Sequence, residues 1–257
     1  MHDYHLHSHF CRHAEGSLEE YARQALRMGM GEICFTPHLP MDGFRPEIGK
    51  DDLRMHEDEF PRYLEELERT RALFPDLVIL SGIEADYVEG REEKLSRFLS
   101  AHPFDFVLMS VHSVAKWPAG QWVFDFKGDS RPLERIYDDY LEAVLHGVET
   151  GLFDCVAHLD LIKQKGRPLL EAHRERVEAI VAECLVRGMS AEINTSGTRK
   201  AVGERYPSDD IVRLMKDRGL PLVIDSDAHK PSQVGWGFGE LAGIQPVRYR
   251  QRRIVAG

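Results

Sequence analysis

Short apolar runs alternate along this chain with longer stretches in which apolar positions recur at helical spacing. In the opening run, Tyr4-His5-Leu6-His7, side chains alternate as on a β-strand. His5 and His7 then share one face, and Tyr4 and Leu6 share the other. Asp3 has the parity of the histidines and is placed to orient an imidazole. Ser17 and Glu20 form a capping box, which predicts a helix running towards Met28 and stopped by Gly29 and Gly31. Glu32-Ile33-Cys34-Phe35-Thr36 is a second strand that delivers His38. Pro40, Gly43, Pro46 and Gly49 mark a loop over 39–50, and a charged amphipathic helix is expected over 51–73.

The alternation continues with a third strand over 77–83, with Glu84 at its end, and a helix over 91–101. A fourth strand, 105–111, finishes on His112, and an irregular insert containing Trp117, Trp122, Phe124 and Phe126 fills 114–131. A helix over 133–149 precedes the short strand Cys155-Val156-Ala157, which ends on His158. Then come a helix over 171–187, a strand over 190–193, a helix over 208–218 and a last strand over 220–224. That strand runs into Asp225-Ser226-Asp227-Ala228-His229. The tail past Gly243 is basic and weakly patterned. No repeat or linker divides the chain, so one domain over 1–257 is expected, with 39–50 and 114–131 as lid inserts.

Strands each followed by a helix predict an α/β fold closed into a barrel of parallel strands. Such barrels carry their chemistry at the C-terminal ends of the strands. His38, Glu84, His112, His158, Asp227 and His229 all fall there, a regularity that scattered core histidines have no reason to show.

Composition narrows the partners. The chain has 257 residues, 42% hydrophobic and 30% charged, with a formal charge of −10. This balance argues against a nucleic-acid groove or an anionic membrane surface, and it suits a small substrate with a cationic group. No apolar run approaches the roughly 20 residues of a membrane helix. The expected protein is a cytoplasmic monomer or homodimer. Met1 stands directly before the histidine motif, leaving no room for a leader. Cys11, Cys34, Cys155 and Cys184 form no CxxC pair and read as reduced thiols.

Adding His5, His7 and His13 to the strand-end residues gives more donors than one ion needs. A catalytic ion takes about three protein ligands plus water, so two or three ions fit, with Glu84 as a bridge. Imidazole and carboxylate without thiolate suit zinc, iron or manganese. Ions roughly 3.5–4 Å apart can share a hydroxide and clamp a transferring phosphoryl group.

These residues resemble the PHP (polymerase and histidinol phosphatase) family. The matching motifs are Asp3-Tyr4-His5-Leu6-His7-Ser8, Thr36-Pro37-His38, Gly82-Ile83-Glu84, Ser110-Val111-His112, Ala157-His158-Leu159-Asp160 and Ser226-Asp227-Ala228-His229. The resemblance leans to the stand-alone histidinol-phosphatase branch through Cys11-Arg12-His13-Ala14-Glu15-Gly16 and Glu192-Ile193-Asn194-Thr195-Ser196-Gly197. It implies a distorted (β/α)7 TIM-like barrel and a trinuclear site. One ion would take His5, His7, Glu84 and Asp227, a second Glu84, His112 and His158, and a third His13, His38 and His229. Pro37 stands where many relatives carry an acid, Ser8 replaces a threonine, and Ala157 replaces a glycine.

The implied reaction is hydrolysis of L-histidinol phosphate, by in-line attack of a metal-bridging hydroxide, to L-histidinol and phosphate. His229 or Asp160 is the expected donor to the leaving oxygen. Arg199 and Lys163 are candidates for phosphate, Glu15, Asp42 and Asp160 for the ammonium, and Trp117 or Trp122 for the ring. The alternatives are a family phosphoesterase acting on nucleotides or phosphotyrosine, and a metal-dependent amidohydrolase. The latter normally bridges its metals with a carboxylated lysine where this chain has Glu84.

Overall fold

The computed structural model describes residues 1–40, 53–118, 121–124, 131–165, 171–241 and 243–255. Seven parallel strands follow chain order in one sheet: β1 (His2–Leu6), β2 (Glu32–Phe35), β3 (Val78–Asp86), β4 (Phe106–Ser110), β5 (Cys155–Val156), β6 (Ser190–Asn194) and β7 (Leu222–Asp225). The sheet nearly closes. His7 N–H donates to the Ala228 carbonyl at 3.0 Å and Ala228 N–H to the His5 carbonyl at 3.1 Å, which joins β1 to the segment just past β7. The predicted barrel is therefore the observed one.

Helices α1 (Leu18–Arg27), α2 (Phe60–Leu73), α3 (Glu92–Ala101), α4 (Leu133–Glu149), α5 (Arg174–Arg187) and α6 (Asp209–Asp217) complete the fold. Ser17 and Glu20 form the expected capping box at the start of α1. The helix expected over 51–73 begins only at Phe60, behind a 3-10 turn over Glu57–Glu59. Pro61 explains the late start. It lacks an N–H and has a preset φ, so it belongs in a first turn rather than a helix interior. Among the described residues no helix is long and apolar enough to cross a membrane.

Tyr4 and Leu6 are both buried, but in different clusters: Tyr4 packs with Cys34, Leu80, Phe106 and Tyr249, and Leu6 joins the larger core. Pairing of β1 with β2 shifts register between Asp3 and Leu6, so simple alternation fails there. Gly82 lets β3 lie close to its neighbours: a Cβ at this position would come within 2.6 Å of Cys34 Sγ and 2.9 Å of the Phe106 carbonyl.

The tail that lacked a clear pattern is a two-stranded hairpin, β8 (Arg248–Arg250) and β9 (Arg253–Val255). It caps the N-terminal end of the barrel. Tyr249 is buried, and its hydroxyl lies 2.9 Å from both the Asp154 carbonyl and Ser190 Oγ. Arg248 and Arg250 both bond Glu32, which also accepts from the Tyr4 hydroxyl, and Arg252 pairs with Asp154.

Candidate metal centre

At the opposite end of the barrel the carboxylate of Glu84 lies amid five imidazoles. Its Oε2 is 2.7 Å from His38 Nδ1, 3.4 Å from His5 Nε2 and 3.6 Å from His7 Nε2. Its Oε1 is 3.1 Å from His158 Nε2 and 3.7 Å from His112 Nε2. Asp227 Oδ1 lies 3.2 Å from His7 Nε2, 3.3 Å from His229 Nδ1 and 3.8 Å from His5 Nε2. His13 Nε2 and His229 Nε2 face each other at 2.9 Å. All nine donors named from the sequence thus meet at one rim.

Among the described residues three sets of donor atoms are close enough to hold an ion: His5, His7 and Glu84; His38, Glu84 and His112; His7, His38 and His229. Glu84 belongs to two of them, as a bridging ligand should. His38 falls with Glu84 and His112 as well as with His229, so the division is less strict than the one the resemblance implies.

The chemistry of this cluster fits cations. His5 Nε2, His7 Nε2 and His38 Nδ1 are buried and converge on Glu84 Oε2 at 2.7–3.6 Å, and none of these atoms makes a hydrogen bond of good geometry. Buried polar atoms of this kind cost about 1–3 kcal/mol each when left unsatisfied. Protonation does not relieve them all. Burial holds the His38 pKa down at about 3 and the His229 pKa well below the usual histidine range. Burial opposes ionisation of Glu84, but His38 and His5 outweigh it and hold its pKa well below the carboxylate range. Neutral His38 and His229 beside ionised Glu84 and Asp227 are in the form that binds a metal, whereas at His5 and His112 the neighbouring Glu192 and Asp86 outweigh burial and raise the pKa.

Strain also concentrates here. His158 and Asp227 have positive φ angles of 27° and 50°, left-handed conformations costing on the order of 1–3 kcal/mol outside glycine.

The residues that orient the ligands were not all legible from the sequence. Glu192 Oε1 accepts from His5 Nδ1 at 2.6 Å, and its Oε2 accepts from the His158 backbone N–H at 2.8 Å. Asp86 lies two residues beyond Glu84 on the same strand and so shares its parity, the signal that could have found it. Its Oδ1 is 2.7 Å from His112 Nδ1. Cys11 Sγ lies 3.3 Å from His7 Nδ1. Asp3, expected to orient an imidazole, instead accepts backbone N–H groups of Ser226 and Gly235, both at 3.0 Å.

A cavity of about 590 Å³ opens onto the cluster, lined in part by Arg54, Trp122, Phe124, Arg199 and Lys200. Arg199 reaches it as expected. One of its nitrogens donates to the Ser226 and Asp227 carbonyls, and Nη1 is buried without a partner. Lys200, which the sequence reading passed over, places Nζ 3.5 Å from Asp227 Oδ2.

Other candidates are corrected. Lys163 is fully buried, not on the cavity wall, and its Nζ is 2.9 Å from Asp160 Oδ2, so each neutralises the other. Asp160 also accepts from Ser208 N–H at 3.0 Å and is not placed to give a proton to a leaving group. Glu15 is exposed and pairs with Lys230 at 2.7 Å, away from the cavity. Trp117 is packed in the core, whereas Trp122 lines the cavity. Burial, with His7 beside it, holds the pKa of half-buried His229 well below the usual histidine range, so it stands as a neutral imidazole among His7, His13 and His38, a form suited to ligation. His9 is apart from the cluster, beside Glu66 at 3.7 Å. Asp42 lies outside the described residues, as does most of the insert over 39–50 and part of that over 114–131.

A parallel barrel whose strand ends gather imidazoles around a bridging carboxylate defines a class, the metal-dependent barrel hydrolases. Within it, residues 3–196 match the family model described as the PHP domain, and the chain belongs to the PHP family. It is 35% identical to a protein from Deinococcus radiodurans named "Probable histidinol-phosphatase", covering 98% of this chain and 97% of that one. It is 27% identical to the histidinol-phosphatase of Bacillus subtilis, covering 92% and 96%. The fold is also that of the histidinol phosphate phosphatase from Lactococcus lactis, solved with zinc, L-histidinol and phosphate, at TM-score 0.81 and 23% identity over 99% of this chain and 98% of that one.

Proposed function

We propose that this chain is a metal-dependent phosphomonoesterase that hydrolyses L-histidinol phosphate to L-histidinol and phosphate. The observation that carries the reading is the meeting of buried imidazole nitrogens around Glu84 beside an open cavity. Relatives spanning nearly the whole chain bear the matching name.

His5, His7, His13, His38, Glu84, His112, His158, Asp227 and His229 would hold two or three divalent transition-metal ions, zinc, iron or manganese. Such ions supply Lewis acidity that yields a nucleophile near neutral pH and offsets charge spreading over the phosphoryl oxygens. The chain's own residues do the rest. Glu192, Asp86 and Cys11 fix the imidazole rings so that little reorganisation accompanies reaction. Arg199 and Lys200 hold positive charge on the Asp227 side of the cavity, where they bind and orient the phosphate. Trp122 and Phe124 give the imidazole of the substrate an aromatic wall.

The test is phosphate release from L-histidinol phosphate, a nucleoside monophosphate and phosphotyrosine by protein stripped of metal and then reloaded with zinc, manganese or iron. Release from L-histidinol phosphate that depends on added metal is expected. Preference for the nucleotide, or undiminished release after stripping, refutes the proposal.

A further inference from the structure

Arg54 is a charged side chain only 3% exposed at the wall of the cavity, and neither the barrel nor the ligand set requires it. Its Nη2 donates to Asp86 Oδ2 at 2.5 Å. The other carboxylate oxygen, Oδ1, lies 2.7 Å from His112 Nδ1 and accepts the His112 backbone N–H at 3.2 Å. With the Nδ1 proton committed to Asp86, His112 presents Nε2 as a lone pair towards Glu84. The guanidinium also lies 4.9 Å from the ring centre of Trp122. An unbroken series of contacts therefore joins cavity wall, cation, carboxylate and ligand.

The backbone at this point is held as firmly as the side chain. Arg12 Nε donates to the Arg54 carbonyl at 2.8 Å. The preceding carbonyl, Leu53 O, accepts from His13 Nδ1 at 2.9 Å. Two consecutive residues thus touch two imidazoles on different sides of the cluster: the Leu53 carbonyl shares His13 Nδ1 with the nearer Cys11 carbonyl at 2.6 Å, and Arg54 reaches His112 through Asp86.

We propose that Arg54 is a positioning residue for the metal centre: it holds Asp86 against His112 and thereby sets that ligand's tautomer and direction. The inference rests on the metal-binding reading above. Without the guanidinium, Asp86 keeps a buried charge with one partner fewer and is free to turn from the imidazole. Loss of such an outer partner typically weakens metal binding by about 10–100-fold.

The test uses zinc alone, in competition with a chromogenic chelator, on the metal-stripped full chain. Circular dichroism serves as the folding control. R54Q is expected to bind the weakest-held zinc about 10–100-fold less tightly than wild type. R54K, which keeps the charge beside Asp86, is expected to stay within about threefold of wild type, a rescue that a merely space-filling role would not give. R54M/D86L removes both charges together, so neither is left buried alone, and it keeps the test open should R54Q not fold. Its loss should be at least that of R54Q and should equal that of D86L alone, because Arg54 reaches the ligand only through Asp86. Wild-type zinc affinity in R54Q or in R54M/D86L, or a folded R54K as weak as R54Q, overturns the inference. Wild-type protein that binds no zinc overturns the metal reading itself, and this inference with it.

Discussion

Replacing Glu84 with glutamine keeps the shape of the side chain and removes one negative charge from the middle of the cluster. The carboxylate lies 2.7–3.7 Å from five imidazole nitrogens and takes part in two of the three donor sets, so the change reaches two ions at once. Unit charges about 4 Å apart attract by roughly 4 kcal/mol at an effective dielectric of about 20, hence roughly 8 kcal/mol for a divalent cation. About half of this is offset, because the amide oxygen still ligates and the carboxylate no longer has to be desolvated. The net loss is about 4 kcal/mol, roughly a thousandfold in affinity. The assay is metal content after dialysis, followed by calorimetric titration of zinc into stripped E84Q. Circular dichroism should show the barrel intact. E84Q that retains its metal through dialysis and titrates like wild type would refute the reasoning, because Glu84 would then not be a bridging ligand.

Acid stability of the metal-free protein has a definite sign. Burial holds His38 down at about 3, whereas a histidine in the unfolded chain titrates near 6.5, so the stability present above about 6.5 is lost as pH falls towards 3. From pH 7 to 5, His38 accounts for about 2 kcal/mol of that loss, and urea unfolding of stripped H38Q should show a correspondingly shallower decline. Breaking the Lys163–Asp160 pair with K163M leaves a buried carboxylate alone and should cost about 3–5 kcal/mol in chemical denaturation. KM of the folded fraction should be unchanged, and a raised KM would return Lys163 to the substrate site. Y249A opens the capped end of the barrel and should cost about 3–5 kcal/mol, while kcat per folded molecule holds. Thermal melts and active-site titration check both halves of that statement.

The barrel and its ligands were readable because two periodicities agreed. Apolar runs marked strands, and the polar residue ending each run marked the rim that parallel strands share. Glu84, His112 and Asp227 needed no further information, whereas His38, three residues past the end of its strand, leaned on the family resemblance. What escaped was set by partners distant in sequence. Arg248, Arg250 and Arg252 look like a solvated basic tail until Glu32 and Asp154 are seen beneath them. Lys163 and Asp160 read from the sequence as substrate residues, and only the turn that folds them together shows that they pair with each other. Trp117 and Trp122 share one insert, and only packing tells the core side chain from the one facing the cavity. The two-residue step from Glu84 to Asp86 was visible, but a strand assumed to stop at residue 83 hid it.

The hairpin under the barrel also bears on traffic. With Tyr249 filling the floor, the cavity over Glu84 is lined at its mouth, among the described residues, by Trp122, Phe124 and His229. Both fragments of a cleaved ester are expected to leave past the side chains that admit the intact molecule. Inorganic phosphate is then expected to compete with incoming ester for the place beside Glu84.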